Sequence, residues 1–139
     1  MFWTDSAWEI KRSTLNGTQR TVLVTSLRWA QDIDLDRRNK LVFWVAADTN
    51  SVESVDYDGN NRILLYQHVD SAQGNFFFFG LAFFSSYLFV SNPGTRSVFK
   101  VNTANGSSAI ATFVSFTNPP MGLVPYDSSR QLPGKFRLC

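Results

Sequence analysis

Three aspartates at alternating positions are the side chains of this sequence that come closest to a chemical constellation. Asp32, Asp34 and Asp36 lie in the stretch DIDLD, separated by Ile33 and Leu35. This alternation is typical of a β-strand and puts the three carboxylates on one face of it. Such a row could bind a divalent cation in a channel, but a calcium site needs more oxygen ligands than one strand supplies. The alternative is structural: a polar strand edge, with Asp36 fixing the turn that follows.

Other groups that could support catalysis are few. His68 is the one histidine and Cys139, the last residue, is the one cysteine. A histidine acting as acid or base needs an oriented partner, and the sequence suggests none, which leaves a solvated loop or a pH-sensitive contact for His68. A lone cysteine forms no internal disulfide. With no P-loop, dinucleotide fingerprint or cysteine/histidine cluster in the sequence, we expect no cofactor and no enzyme activity.

Composition indicates a folded domain of modest size. Of 139 residues, 44% are hydrophobic and 15% are aromatic, with 13 phenylalanines, so the chain can bury a core. The net charge is +2 and the Lys and Arg residues are scattered, whereas a nucleic-acid surface needs a basic stripe. The longest apolar run, NFFFFGLAFF, is shorter than the roughly 18 residues of a membrane span. We therefore expect a domain that binds no nucleic acid.

A short motif recurs along the chain. Phe2–Asp5 (FWTD) aligns with Phe43–Ala46 (FWVA) at a spacing of 41 residues, and Phe89–Asn92 (FVSN) follows 46 residues later. Repeats of about 40 to 50 residues are typical of folds built from one supersecondary unit. The repeated positions that we single out are Phe2, Trp3, Thr4, Asp5, Phe43, Trp44, Phe89 and Asn92.

Each copy of the motif is followed by a strand-like stretch and a turn with glycine. The stretches IKRSTLNG, VESVDYDG and FKVNTANG end in Gly17, Gly59 and Gly106. Asn-Gly and Asp-Gly supply the positive φ angles of tight hairpin turns. Another strand precedes the second and third copies, so the unit is four short strands in about 40 to 46 residues. This describes a blade of a β-propeller, and the chain supplies about three blades. The aromatic rings would pack between blades, with Trp3 and Trp44 in the core.

The motifs resemble the YWTD repeat, or class B repeat, of the low-density lipoprotein receptor family. FWTD is similar to YWTD itself, IKRSTLNG to the strand and turn after it, and FGLAFFSSYLFVSN to a late-blade pattern. PMGLVPYDSSRQ resembles the closing segment of that propeller, so the resemblance covers nearly the whole chain. Val45–Ala46 and Ser91–Asn92 replace the Thr-Asp pair, whose aspartate makes hydrogen bonds between blades in the family.

The resemblance implies an all-β propeller with four-stranded antiparallel blades, of which about three of six are present. Residues 1–131 would form this partial propeller, with repeats near 2–42, 43–88 and 89–131. Residues 132–139 would be a linker to an epidermal-growth-factor-like module. In the family, blades upstream of this segment complete the ring.

Ring closure in the family uses the last innermost strand, which corresponds here to Met121–Tyr126. A half ring leaves two blade faces exposed, and apolar patches of that size promote association. We therefore expect self-association through the exposed blade faces. We also hypothesise that Met121–Tyr126 pairs with Phe2–Thr4 and completes a third blade.

The resemblance further implies a segment of an extracellular receptor, endocytic or a signalling co-receptor, that binds extracellular protein ligands at the cell surface. Loops between blades carry such contacts. The arginines near Trp29 could meet acidic ligands, and the alternative is that they are solvated surface residues. The candidate contact residues are Arg28, Trp29, Arg37 and Arg38. The candidate N-glycosylation sites are the sequon residues Asn16 and Asn105.

Two other interpretations remain open at this point. A six-bladed-propeller hydrolase, lactonase-like, would use a metal in the channel, for which Asp32 and Asp34 are the candidate ligands. A truncated fragment without independent function is the other, because half a ring leaves apolar blade faces in water.

Overall fold

The computed structural model describes residues 1–27, 29–69, 76–104 and 111–126. The strands of this part of the chain form three antiparallel sheets, and the prediction of an all-β fold is confirmed. Within the same residues no helix is long and apolar enough to cross a membrane.

Strands that follow one another along the chain are neighbours in each sheet. Blade 1 consists of β1 (Phe2–Thr4), β2 (Ile10–Arg12) and β3 (Thr21–Val24). Blade 2 consists of β4 (Ala30–Asp36), β5 (Leu41–Ala46), β6 (Ser51–Asp56) and β7 (Ile63–Gln67). Blade 3 consists of β8 (Leu81–Phe84), β9 (Tyr87–Asn92), β10 (Ser97–Asn102) and β11 (Ala111–Ser115).

The repeated motif is the first strand of blade 1 but the second strand of blades 2 and 3, since β4 and β8 precede it. The innermost strand is thus the one that the described part of blade 1 lacks. The strands β4 and β8 contact each other, and β1 also contacts β4.

The central strand β5 is buried on both faces. Val42 and Trp44 pack toward blade 1, whereas Phe43 and Val45 pack toward blade 3, and none of the four is more than 1% exposed. Successive residues of a strand point to opposite faces, so a strand between two other sheets needs an unbroken apolar run. The sequence LVFWVA supplies that run.

Two hydrophobic cores hold the three blades together, one at each junction. The buried residues between blades 1 and 2 are Ile10, Leu23, Val24, Leu27, Val42, Trp44, Ala46 and Val55. Those between blades 2 and 3 are Phe43, Val45, Val52, Leu65, Phe78, Leu81, Leu88, Val90 and Val101. Each fully buried large side chain contributes about 1.5–3 kcal/mol relative to exposure, so stability depends on face-to-face packing of the blades.

The glycines of the first two hairpin turns have positive φ, +80° at Gly17 and +87° at Gly59. Gly59 also lies against blade 1, because a Cβ there would be 3.0 Å from the backbone oxygen of Leu23. Two constraints therefore favour glycine at position 59, the left-handed backbone and the close approach of the neighbouring blade. Gly106, the third predicted turn glycine, lies outside the described residues.

Aspartates at strand ends fix two hairpin turns. The Asp36 carboxylate accepts hydrogen bonds from the backbone N–H groups of Arg38 and Asn39 at 2.9 and 3.0 Å, in agreement with the structural interpretation of that residue. The Asp56 carboxylate accepts one from Asn60 N–H at 2.8 Å, and that bond is the main cause that lowers the pKa of Asp56. An aspartate stabilises such a turn because its side chain accepts hydrogen bonds from the backbone N–H groups that follow it.

The two outer faces of the three-blade stack have different chemistry. The open face of blade 1 carries Trp3, Lys11 and Val22 side by side, as the strand register requires. The open face of blade 3 carries Phe84, Phe89 and other apolar side chains around a groove of about 340 Å³. The phenylalanines of this face include Phe113, which is 60% exposed and packs edge-on against Phe89 at 5.2 Å between ring centroids.

Met121–Tyr126 lies against blade 3 and is not part of a sheet. The Ser91 hydroxyl donates a hydrogen bond to the Met121 carbonyl oxygen and accepts one from the Gly80 backbone N–H at 2.7 Å. Within the described residues β1 pairs with β2 alone. The hypothesis that Met121–Tyr126 pairs with Phe2–Thr4 is therefore wrong for a single chain, in which the segment packs on the sheet that precedes it.

We expect the substitution Gly80→Ala to lower the free energy of unfolding by about 1–3 kcal/mol, the range for overpacking. A Cβ at this position would clash with the Met121 carbonyl oxygen and lie 2.9 Å from Ser91 Oγ. Urea unfolding followed by circular dichroism measures the effect.

The matched control is Gly122→Ala, in the same contact but with no heavy atom within 4 Å of the added Cβ. It should change stability by no more than about 0.5 kcal/mol. Equal effects of the two alanines would mean that the segment does not pack on Gly80.

Candidate functional site

Asp32 and Asp34 join the innermost strands of blades 2 and 3. One carboxylate oxygen of Asp32 accepts a hydrogen bond from the Leu81 backbone N–H at 2.8 Å, and one of Asp34 accepts from the Phe83 N–H at 2.7 Å. The second oxygen of each accepts from the N–H of the next residue, Ile33 or Leu35, at 2.9 and 2.7 Å. All four carboxylate oxygens of this pair are therefore engaged by backbone donors.

These hydrogen bonds satisfy two backbone N–H groups on the unpaired edge of β8. The amides of Leu81 and Phe83 point away from the pairing strand β9, and an unpaired strand edge is both costly when buried and prone to aggregation. The carboxylates of the preceding blade occupy that edge. Among the described residues no group of three or more histidine, cysteine, aspartate or glutamate side chains could hold a metal ion, so the cation interpretation of Asp32 and Asp34 finds no support in the geometry.

Burial raises the pKa of Asp32 above its ordinary value of 3.8, and the nearby Asp34 charge acts in the same direction. The two backbone N–H donors lower the pKa and oppose burial only in part. Because the folded-state pKa exceeds the unfolded one, the stability that Asp32 contributes is fully present below pH 3.8 and is lost as pH rises through the raised value.

The substitution Asp32→Asn should remove this pH-dependent contribution. The variant loses one acceptor oxygen at every pH, but its stability relative to the wild type should improve as pH rises from about 3.8 through the raised pKa. Urea unfolding at a series of pH values from 4 to 7 measures the difference. Gly122→Ala, which changes no titratable group, is the control, and a constant difference between Asp32→Asn and the wild type would contradict the expectation.

The residues at the aspartate position of the repeated motif make their hydrogen bonds within their own blades. The Asp5 carboxylate accepts from the Ala7 N–H at 3.0 Å and pairs with Lys11 Nζ at 2.6 Å, and the Lys11 bond is the main cause that lowers the Asp5 pKa. Asn92 accepts from the Thr95 N–H at 3.0 Å in the corresponding loop, and Ala46 has no polar side chain. Links between blades 2 and 3 thus come from Asp32 and Asp34, not from the motif position that the resemblance implies.

Trp8 and Trp29 come together at one rim of the junction between blades 1 and 2. Trp8 lies in the loop between β1 and β2, and Trp29 immediately precedes β4. Their ring centroids are 6.3 Å apart with a tilt of 45°, and the residues are 41% and 58% exposed. With Glu9 and Leu27 they line an open groove, which we call the tryptophan groove.

The backbone under this groove is held by hydrogen bonds between loops. The Leu27 N–H donates to the Trp8 carbonyl and the Ala47 N–H donates to the Trp29 carbonyl, both at 3.0 Å. Trp8 and Trp29 have φ angles of 63° and 52°, a left-handed conformation that is uncommon for bulky residues and needs support from its surroundings. The two rings are therefore presented by a fixed backbone.

The other candidate contact residues do not join this groove. Arg37 and Arg38 are exposed at the far end of β4, roughly 25 Å from Trp29 at the strand rise of about 3.3 Å per residue. They do not flank Trp29, because β4 is extended between them. Arg28, Asn105 and the proposed linker 132–139 lie outside the described residues.

Asn16 is exposed in the turn between β2 and β3. Its side-chain oxygen accepts hydrogen bonds from Thr14 Oγ1 and Thr18 Oγ1 at 2.6 and 2.8 Å. The asparagine and threonine of the sequon thus contact each other in an accessible turn.

His68 is not a simple solvated loop residue. Its ring is half-buried and stacks on Phe76 with centroids 3.5 Å apart, and its Nδ1 lies 3.4 Å from the Tyr66 hydroxyl.

The partners of two aspartates of this site were missed by sequence reasoning. The bonds of Asp32 and Asp34 reach 49 residues along the chain, and no local pattern identifies such partners.

Comparison with known proteins places this geometry among receptor-related propellers. No protein-family model matches the sequence. The vitellogenin receptor Yl of Drosophila melanogaster is 29% identical over 109 residues, which is 76% of this chain and 5% of that receptor. A chain in the crystal structure of a nidogen/laminin complex matches with a TM-score of 0.75 and 29% identity, over 90% of this chain and 47% of that chain. The chain thus spans about half of the matched structure and a small part of the receptor.

Proposed function

Since this chain is a receptor-related segment of a YWTD β-propeller, we propose that it acts as a binding module outside the cell. In this role it holds rim loops on rigid blades and presents them to extracellular protein ligands, without catalysis. It belongs to the ectodomain of an endocytic or signalling receptor at the cell surface. Further blades upstream and an epidermal-growth-factor-like module after residues 132–139 complete the domain.

The observation that carries this proposal is the fixed tryptophan groove on a propeller scaffold. Most of the large aromatic side chains at the two blade junctions are packed, whereas Trp8 and Trp29 are exposed beside each other. Exposed tryptophans on fixed backbone are typical of the residues that dominate protein–protein affinity. Loops held by a rigid scaffold are also where binding residues concentrate.

The relatives supply the class of ligand. The receptor that this chain resembles is named for vitellogenin, and the similar structure is a nidogen/laminin complex. Both names refer to extracellular proteins, which is why we propose an extracellular protein ligand here. An extracellular site also agrees with the exposed sequon at Asn16 and with the second one at Asn105, both proposed to be glycosylated.

A hydrolase function has less support. The two aspartates that would bind its metal use all four carboxylate oxygens to accept backbone hydrogen bonds. Recruiting them for a cation would leave the amides of Leu81 and Phe83 without acceptors, at a cost of about 1–3 kcal/mol for each buried donor. We therefore propose that they are structural.

The two open blade faces suggest how the segment is completed. The apolar groove beside Phe89 and the row around Trp3 are the surfaces on which neighbouring blades would stack. We propose that further blades of the same protein cover them, and that self-association covers them when the segment is isolated.

The test is surface labelling of the native protein followed by a binding assay. Intact cells of the source tissue are treated with a membrane-impermeant biotin reagent, and the protein is captured with an antibody raised against the peptide DYDGNNRILLYQ. Glycosidase treatment of the captured protein reports on the sequons. The captured protein is then immobilised and titrated with purified vitellogenin and with laminin.

Labelling together with saturable binding of either protein is the expected result. Bovine serum albumin at equal concentration is the control for non-specific adsorption. A protein that is labelled only after the cells are lysed, or that binds neither probe above the albumin signal, would contradict the proposed function.

A further inference from the structure

Trp8 and Trp29 are exposed in a way that blade packing does not explain. The other two tryptophans, Trp3 and Trp44 of the repeated motif, are half-buried and fully buried. We propose that the tryptophan groove binds a single cationic side chain, lysine or arginine, projecting from the protein ligand. This inference rests on the proposed function and adds the chemistry of the contact.

The exposed pair of rings suits a cation. Their centroids are 6.3 Å apart and their planes are tilted by 45°, so the two rings pack on each other, and the residues are 41% and 58% exposed. An ammonium or guanidinium group within about 6 Å of a ring centroid is attracted by the negative face of the ring. A side chain that lies on the exposed surface of this pair brings its cation within that range of a ring centroid, and its methylene stem covers apolar surface of the indole rings.

The charges around the groove favour a cation over an anion. Glu9 lines the groove. Its carboxylate pairs with Lys11 Nζ at 2.8 Å, and the same ammonium pairs with Asp5 at 2.6 Å. Two carboxylates thus share one ammonium among the described residues of these loops, and the excess is negative.

The fixed backbone favours binding because the two loops lose little conformational entropy when a ligand binds. The hydrogen bonds that hold Trp8 and Trp29 already exist in the free protein. Preorganised side chains avoid the cost of about 0.5–1.5 kcal/mol that an immobilised flexible side chain adds to binding.

The probe is the peptide acetyl-Gly-Lys-Gly-amide, with acetyl-Gly-Gln-Gly-amide as the uncharged match. Proton NMR of the peptide is recorded as the purified full chain is added. A lysine side chain that lies on the exposed indole rings should show upfield shifts of its ε-methylene protons, because ring currents act on protons above the rings. The glutamine peptide should show no such shift.

Variants assign the effect to the groove. Trp8→Ala and Trp29→Ala should each weaken binding of the lysine peptide about three- to thirtyfold, the equivalent of one cation–π contact. Trp29→Phe should retain a part of the binding, because a ring face remains. Glu9→Gln keeps both rings and should weaken binding through charge alone. Leu15→Ala, which removes an apolar side chain that is 92% exposed elsewhere on blade 1, should bind as the wild type does.

Several outcomes would overturn the inference. They are equal shifts for the lysine and glutamine peptides, no shift for either, and unchanged binding in Glu9→Gln together with the two alanine variants. If vitellogenin or laminin binds the protein while the lysine peptide does not, the inference fails and the proposed function stands. If the lysine peptide binds but the native protein is not labelled at the cell surface, the proposed function fails and the groove chemistry stands.

Discussion

Replacing Trp44 with alanine should lower the free energy of unfolding by about 3–5 kcal/mol, the range for large aromatic residues in cores. Its side chain is fully buried between blades 1 and 2, and the guanidinium carbon of Arg62 lies 5.4 Å from the ring centroid. Alanine leaves a cavity at the junction of two sheets and removes the cation–π contact. Total stability is typically only about 5–15 kcal/mol, so we expect a large fall in the urea midpoint.

Two control variants separate burial from membership of the motif. The indole Nε1 of Trp44 is buried and finds no hydrogen-bond partner among the described residues, so Trp44→Phe removes an unsatisfied donor and should cost less than half as much as alanine. Trp3→Ala changes the same repeated position on the open face of blade 1 and should also cost less than half. Equal losses for Trp3→Ala and Trp44→Ala would contradict the argument from burial.

The double substitution Asp32→Ala with Asp34→Ala should lower the free energy of unfolding by about 2–6 kcal/mol. It leaves the backbone amides of Leu81 and Phe83 without acceptors, and each buried unsatisfied donor costs about 1–3 kcal/mol. It also removes both hydrogen bonds that link β4 to β8. Chemical unfolding gives the loss, and hydrogen exchange of the two amides locates it.

The control is Asp48→Ala, which removes an exposed carboxylate from the loop after β5. We expect a change within about 0.5 kcal/mol. The double variant should exchange the amides of Leu81 and Phe83 faster than the control does. Unchanged exchange at both amides would mean that the carboxylates are dispensable to the edge of β8.

The blade could be predicted from the sequence because its signals are local. Strand alternation, glycine turns and a repeated motif each act within about ten residues, and hairpins between consecutive strands need no distant information. The core position of Trp44 followed from its place in the repeat. The same reasoning was wrong for Trp3, which is half-buried on the open face of blade 1 because no described blade packs on that face. The turn role of Asp36 followed in the same way, since its partners are two and three residues away.

Trp29 was a candidate contact residue from the sequence, but the arrangement of the site could not be predicted because it depends on contacts between units. Trp8 meets Trp29 only after β2 and β3 form a hairpin that brings the two loops together. The position of Arg37 relative to Trp29 depended on β4 being extended over its full length. Packing of Met121–Tyr126 on Gly80 likewise joins residues some forty positions apart, and no repeat spacing specifies which blade that segment contacts.

The unlike outer faces give the stack a direction. Lysine and tryptophan share the face of blade 1, whereas phenylalanines dominate that of blade 3. Two copies meeting through the same face would form an isologous pair, in which the Lys11 ammonium groups approach each other or the aromatic rows meet unmatched. Contact of one face with the other is heterologous, and repeated head-to-tail contacts generate rings when their rotation closes. The difference between these two surfaces therefore favours a head-to-tail order of blades around a ring.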